Sequence, residues 1–223
     1  MSTIVLAQVA ERAGRYDDMA DYMKERAEQG APLNSEERDM FSAAFKNALT
    51  ERRQAVRVAL SMAQHEVHAG RQSQSDLALG YKSKVASELQ EICNKALSVL
   101  ESHLVASAVD PESKTFFLKM QGDYYRYLAE FAEGDARAKA ATSAAAAYGA
   151  GMQAALGLSP VHAGRLGLAL NFSVFLHEVI QDNEAAKRTA SQAYDEGAQH
   201  EGSANDDAAL TLNLLADNLQ LWC

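Results

Sequence analysis

The chain has 223 residues, a formal net charge of -9 and only three prolines. That length suits one large domain or two small ones with a sizeable core, and the acidic balance argues against nucleic-acid binding, which needs an excess of Lys and Arg on one face. Charge interrupts every apolar stretch before about 18 residues, so no membrane span is expected, and two cysteines, Cys93 and Cys223, make no disulfide framework and fit a reduced cytoplasmic setting.

Abundant Ala, Leu, Glu, Gln and Lys make long helices the default. The opening MSTIVLAQVAERAG has a short apolar patch with no basic leader, and apolar positions over 3–15 recur at helical spacing, so it reads as the first helix of a mature protein and not as a signal peptide. Tyr16-Asp17-Asp18 opens a second helix that reaches about Gln29, where Gly30 and Pro32 stop it. Asn34-Ser35-Glu36-Glu37 has the form of a capped start with acidic residues in the first turn, and the helix it opens runs to about His68. After the polar segment 70–75, Leu77, Tyr81, Val85, Leu89, Ile92 and Ala96 mark a fourth helix ending near His103. Asp110-Pro111 puts proline in a first-turn position, and the helix it begins stops near Glu133-Gly134. Alanine dominates 135–156, giving high helix propensity but little bulk to bury. Ser159-Pro160 breaks the chain, and helices follow over about 162–181, 183–200 and 204–222.

The count is about nine, and no segment has the period of two and the β-branched richness of a strand. Short connections make neighbours antiparallel, so the expected fold is an all-α, up-and-down array. Helical solenoids are the nearest competitor, although no clean repeat of about 34 residues is present.

Lys46 and Arg53 lie seven residues apart in FKNALTERR, two helical turns, and so share one helix face. Arg126 and Tyr127 follow inside GDYYRYLAE. If the helix carrying them packs beside that face, three cations and a phenol converge on one point of an acidic chain. A phosphorylated side chain brings roughly 1.5 to 2 negative charges and three acceptor oxygens; arginine matches it with forked donors, and lysine adds a mobile point charge. Close, partly desolvated contacts outweigh the distant, screened acidic field. Taken singly, each cation is better explained by a surface ion pair, and it is the surrounding strings that favour a phosphate.

Taken in order, RYDDMA (15–20), FKNALTERR (45–53), GDYYRYLAE (122–130), RLGLALNFSVF (165–175) and LLADNLQLW (214–222) resemble the 14-3-3 family of phosphoserine- and phosphothreonine-binding adaptors, from about residue 3 onward without a large gap. The resemblance implies one 14-3-3-like helical domain over 1–223, with about nine antiparallel helices in an L- or cup-shaped array around an amphipathic groove. It implies that Arg53, Arg126 and Tyr127 hold the phosphate directly and that Lys46 supplies the remaining charge. Asn171 and Asn218 are placed against the peptide backbone, where amide side chains both donate and accept. Leu170 and Val174 on one helix, and Leu210, Leu214 and Leu221 on another, form apolar stripes opposite a basic wall, with Lys119, Glu178 and Trp222 at the groove edge or end. Thr211 and His177 stand where the family more often has a bulkier aliphatic residue and a tyrosine, so peptide preference is expected to differ somewhat.

The same resemblance implies a homodimer, or a pair with a paralogue, made through the N-terminal helices. Leu6, Val9, Ala13 and Tyr81 then provide the apolar burial, while Arg15 meets the partner's Glu88 and Asp18 meets the partner's Lys84. Exposed ion pairs add little affinity and mainly set orientation. Ala55 stands where many relatives have a serine whose phosphorylation dissociates the dimer, so that switch is expected to be absent, and Val56 replaces the tryptophan commonly found next to it. Relatives carry a flexible acidic tail where this sequence stops at Cys223, which reads as a truncated or a naturally short form.

Motifs for chemistry are missing. His65, Glu66 and His68 do not make HExxH or the paired ExxH turns of a di-iron bundle, and no GxxxxGK[ST], GxSxG or strand-linked GxGxxG occurs. Cys93, with no activating neighbour, reads as an inert buried thiol. No catalytic residue, metal site or cofactor is expected. The competing function is a phosphate-independent helical-repeat scaffold, similar to tetratricopeptide arrays, that binds unmodified helices or chain termini.

Overall fold

The computed structural model describes residues 2–222, and no strand occurs among them. The fold is all-α. Nine helices of 11 to 34 residues carry it: α1 Ser2–Arg12, α2 Tyr16–Glu28, α3 Ser35–His68, α4 Gln72–Val99, α5 Pro111–Phe131, α6 Gly134–Ala155, α7 Ala163–Phe175, α8 Asn183–Ala198 and α9 Asp206–Leu221. Single π-helical turns, Leu100–Leu104 and Leu176–Ile180, extend α4 and α7. The described residues form two compact units, divided after Leu104, so that α1–α4 belong to the first and α5–α9 to the second.

In the first unit, α1 packs on α2, α2 on α3 and α4, and α3 on α4. The apolar pattern runs to about residue 15, but α1 ends at Arg12 because Gly14 takes the left-handed conformation (φ 67°), with Arg15 N–H donating to the Ala10 carbonyl at 2.8 Å. The α3 start is the capping box that the sequence implies: Asn34 Oδ1 accepts from Glu37 N–H at 2.9 Å, and Glu37 Oε2 accepts from Asn34 N–H at 3.0 Å. The same Glu37 carboxylate receives both arms of Arg26 at 2.8 Å, tying α2 to the start of α3. Helix α4 begins at Gln72, ahead of the first apolar position, with a polar first turn in which Ser75 is buried and Gln72 Nε2 donates to Asp76 Oδ1 at 2.9 Å. Met19, Met23, Phe41, Phe45, Leu49 and Leu89 are buried, and the Phe41 and Phe45 rings lie 4.8 Å apart.

In the second unit, α5 packs on α6, and α7 touches α5, α6, α8 and α9. Asp110 caps α5 by accepting from Ser113 N–H at 2.7 Å, with Pro111 in the first turn. The alanine-rich α6 is buried along one face by small residues, Ala140, Ala144, Ala147, Gly151 and Ala155. Their lack of bulk lets neighbouring helices approach, and Tyr148, fully buried, fills the remaining space against Phe172 and Phe175 with ring centroids 5.5 Å away. A second apolar cluster joins Leu166 of α7, Ala190 of α8, and Ala208, Leu212 and Leu215 of α9.

Gly122 on α5 is what admits the Tyr148 ring, since a Cβ there would sit 2.5 Å from Tyr148 Cδ1. Gly122→Ala should destabilise the protein by ~1–3 kcal/mol through overpacking, despite the better helix propensity of alanine. Equilibrium urea unfolding measures this, and unchanged or increased stability would contradict the packing argument.

Candidate functional site

In the first unit, Lys46 is exposed and Arg53 half-buried on α3, two turns apart on one face as their spacing requires. Arg52, one position before Arg53, faces elsewhere: its Nη1 and Nη2 donate to Asp17 of α2 at 3.0 and 2.8 Å, and its Nε lies 3.4 Å from Glu88 of α4. Arg52 is therefore a structural ion pair that joins three helices. Cys93 is fully buried, and burial pushes its thiol up to about 12 although the charge of Arg53 works in the opposite direction, so it is protonated and unreactive near neutral pH.

The surface of the same unit carries unpartnered apolar side chains. Val9 is 58% exposed and Tyr81 56%, Leu6 is exposed beside Val9 on α1, and Ala13 is exposed just beyond it. Between α3 and α4 lies an open groove lined by Ala55, Val58, Met62, Leu77, Ala78 and Tyr81. Arg15 and Asp18 pair with each other within the chain, Lys84 is exposed, and Glu88 is engaged by Arg52. His65 and His68 are exposed at the end of α3, the latter with Nδ1 2.7 Å from the Gln64 carbonyl.

In the second unit, α5 presents Lys119, Asp123 and Arg126 at spacings of four and three, which puts them on one face. Asp123 is buried, and its carboxylate accepts from Lys119 Nζ at 2.8 Å, Arg126 Nη2 at 3.2 Å, the Tyr148 hydroxyl at 2.6 Å and Asn171 Nδ2 at 2.8 and 3.1 Å. Arg126 Nε also donates to the Tyr148 oxygen at 3.1 Å, and its guanidinium lies 4.6 Å from the centre of the Tyr127 ring. Burial alone would raise the Asp123 carboxyl. The charges of Lys119 and Arg126, with hydrogen bonds from Lys119 and Tyr148, outweigh it and hold the group at about 2. Burial works against the charge of Arg126, and Tyr148 and Asp123 overcome it and move its pKa above the ordinary value.

Alongside this cluster, α7 and its π-turn carry Leu170 and Val174, both half-buried, and the exposed Glu178. Helix α9 carries Leu210, 59% exposed, Leu214, also exposed, and half-buried Asn218 at successive intervals of four, with Leu221 beyond at 79% exposure. Three exposed leucines on one helix face are an unpartnered apolar stripe. Trp222 follows, stacked on His177 of the π-turn with centroids 4.7 Å apart. Cys223 lies outside the described residues.

A family model described as 14-3-3 protein matches residues 6–223, spanning both units. The chain belongs to the 14-3-3 family. It is 44% identical over 225 residues to the 14-3-3 protein homolog of Candida albicans, covering 99% of this chain and 85% of that relative. It is 45% identical to the 14-3-3 protein theta of Gallus gallus, covering 97% and 89%, and 43% identical to the 14-3-3 protein beta/alpha of Xenopus tropicalis, covering 97% and 90%. As a 14-3-3 protein it is an adaptor that binds phosphoserine and phosphothreonine motifs in partner proteins and regulates their activity, location or interactions. None of its described helices is long and apolar enough to cross a membrane.

The structure of this 14-3-3 protein brings Lys119, Arg126 and Asn171 onto one carboxylate that sequence reading did not single out. The local signal was there, because Asp123 stands four after Lys119 and three before Arg126. Tyr148 carried no such signal, being one aromatic ring in an alanine run.

A carboxyl held at about 2, against an ordinary 3.8, contributes stability that is fully present above about pH 4 and is lost as pH falls toward 2. Between pH 5 and pH 2.5 the wild type should lose on the order of 1–2 kcal/mol more unfolding free energy than Asp123→Asn. Denaturant melts of both proteins at the two pH values measure the difference, and parallel losses would contradict the assignment.

Proposed function

We propose that the phosphate of a bound partner is held by Arg53, Arg126 and Tyr127, with Lys46 supplying the remaining charge, the two units acting together as one functional domain. The supporting observation is the state of Arg126: a largely buried guanidinium, held along its Nε–Nη2 edge by Tyr148 and Asp123. An ordered, desolvated guanidinium suits a dianion that accepts forked donors.

The peptide then runs past Asn171 and Asn218, which exchange hydrogen bonds with its backbone, while Leu170, Val174, Leu210, Leu214 and Leu221 contact its side chains and Lys119, Glu178 and Trp222 bound the groove. Exposure of the α9 leucines supports this reading, since an apolar stripe of this kind marks an interaction surface. The protein acts by occupancy, without catalysis, cofactor or metal, on phosphorylated proteins of the cytoplasm.

The first unit supplies dimerisation. Leu6, Val9 and Ala13 of one copy pack against the α3–α4 groove and Tyr81 of the other, and the charges Arg15, Asp18, Lys84 and Glu88 set the orientation. Because Arg15 already pairs with Asp18, and Glu88 with Arg52, forming the dimer exchanges ion pairs and leaves apolar burial as the main driving force. With a second groove in the dimer, a doubly phosphorylated partner gains avidity of ~10²–10⁴ where its linker spans both sites. Ala55 at the groove carries no hydroxyl, so this interface has no phosphorylation switch at that position.

Titration of a fluorescent phosphoserine peptide and its unphosphorylated twin should give a gap of at least ~100-fold, and Arg53→Glu or Arg126→Glu should abolish it by setting a carboxylate beside the dianion. Equal binding of the twins would instead favour the phosphate-independent scaffold. Light scattering should give twice the chain mass for the wild type and a single chain mass for Leu6→Glu/Tyr81→Glu, and a dimer that survives both changes would rule out this interface.

A further inference from the structure

Asp123 is an anion, 8% exposed, in a surface assigned above to a dianion. On charge alone it weakens that surface, so its place there needs another reason. The donors around it supply one, and they come from three helices: Lys119 and Arg126 from α5, Tyr148 from α6 and Asn171 from α7.

Each of these bonds removes a degree of freedom. The Tyr148 hydroxyl has a single proton and donates it to Asp123 at 2.6 Å, so toward Arg126 Nε, 3.1 Å away, it is an acceptor. Arg126 is then gripped by Tyr148 at Nε and by Asp123 at Nη2, which aligns its Nη1 end for an external acceptor. Asn171 approaches both carboxylate oxygens through Nδ2, at 2.8 and 3.1 Å. Only the amide nitrogen donates to a carboxylate, so the side-chain flip is settled and Oδ1 is turned away from Asp123, where it accepts. Asn171 so oriented has its Oδ1 available to accept a backbone N–H of a bound peptide.

We propose that Asp123 is the positioning residue of the phosphopeptide site, one carboxylate that sets both the phosphate-facing guanidinium of Arg126 and the amide orientation of Asn171. The phosphate subsite and the backbone subsite are thereby coupled through a group that touches neither phosphate nor peptide. The inference rests on the groove reading above. Its consequence is that neutralising Asp123, which adds to the net positive charge of the site, weakens the binding of an anion. Asparagine at 123 offers one acceptor oxygen and an amide that repels the surrounding donors, so Arg126 and Asn171 both lose their reference.

The test uses the full chain, with folding of each variant checked by circular dichroism and thermal melting. The probes are a phosphoserine peptide, its unphosphorylated twin, and phosphopeptides in which each backbone amide flanking the phosphoserine is replaced, one at a time, by an ester that lacks the N–H. In the wild type one ester position should cost about tenfold in affinity, marking the N–H that Asn171 accepts. Asp123→Asn should bind the parent phosphopeptide at least ~30-fold more weakly and show an ester penalty within about twofold of none. Tyr148→Phe keeps the ring and the carboxylate, and it should lose several-fold in phosphopeptide affinity while retaining the ester penalty.

A folded Asp123→Asn protein with wild-type affinity overturns the proposal, as does one that binds weakly with the ester penalty intact. Should Asp123→Asn fail to fold, wild-type affinity in Tyr148→Phe overturns it. A wild-type chain that binds the phosphopeptide and its twin alike is a different result, which removes the groove reading itself and the proposal with it.

Discussion

The Asp123 carboxylate and the four side chains that donate to it are the constraint around which the second unit is arranged. A buried charge is costly unless its lone pairs are matched, and breaking one partner of such a set leaves the others unsatisfied. Meeting that condition requires α5, α6 and α7 to converge at one depth. Gly122 clears the space for the Tyr148 ring, the small residues of α6 let that helix sit close, and Phe172 and Phe175 hold the ring from the α7 side. The apolar packing and the polar cluster are thus one arrangement, with the same tyrosine in both.

The first unit solves a different problem with weaker polar contacts. Its ion pairs, Arg26 with Glu37, Arg52 with Asp17 and Glu88, and Lys95 with Asp21, lie at helix junctions and retain contact with solvent. They set which helices adjoin, and of these only the Arg26–Glu37 pair is largely buried. This unit also leaves apolar side chains unburied on α1 and along the α3–α4 groove. In the proposed dimer, apolar side chains beside self-satisfied ion pairs would draw affinity from area and register from charge.

Legibility in the sequence followed interaction range. The cap at Asn34 acts over three residues and was readable from its own neighbourhood, as was the first-turn proline that follows the Asp110 cap. The start of α4 was not, because its first turn is polar and an apolar pattern cannot register it. The burial of α6 was equally hidden: one face of alanine is buried and the other exposed, so no contrast in residue type marks which is which. Among the candidate phosphate ligands, Lys46, Arg53, Arg126 and Tyr127 stood out as cations and a phenol in family strings, whereas the ion pairs of Arg52, the neighbour of Arg53 in the same string, emerge only from the packing of α2 and α4 on α3.

By itself the sequence determined that the chain is all-α, where most helices begin and which family strings it carries. Those properties depend on residue type and on spacings of three, four or seven, which the helix geometry converts directly into shared faces. Only the tertiary structure decided that Tyr148 and Asn171, 25 and 48 residues along the chain from Asp123, meet its carboxylate. Such a meeting depends on the packing depth and rotation of whole helices against one another, and no local pattern encodes either.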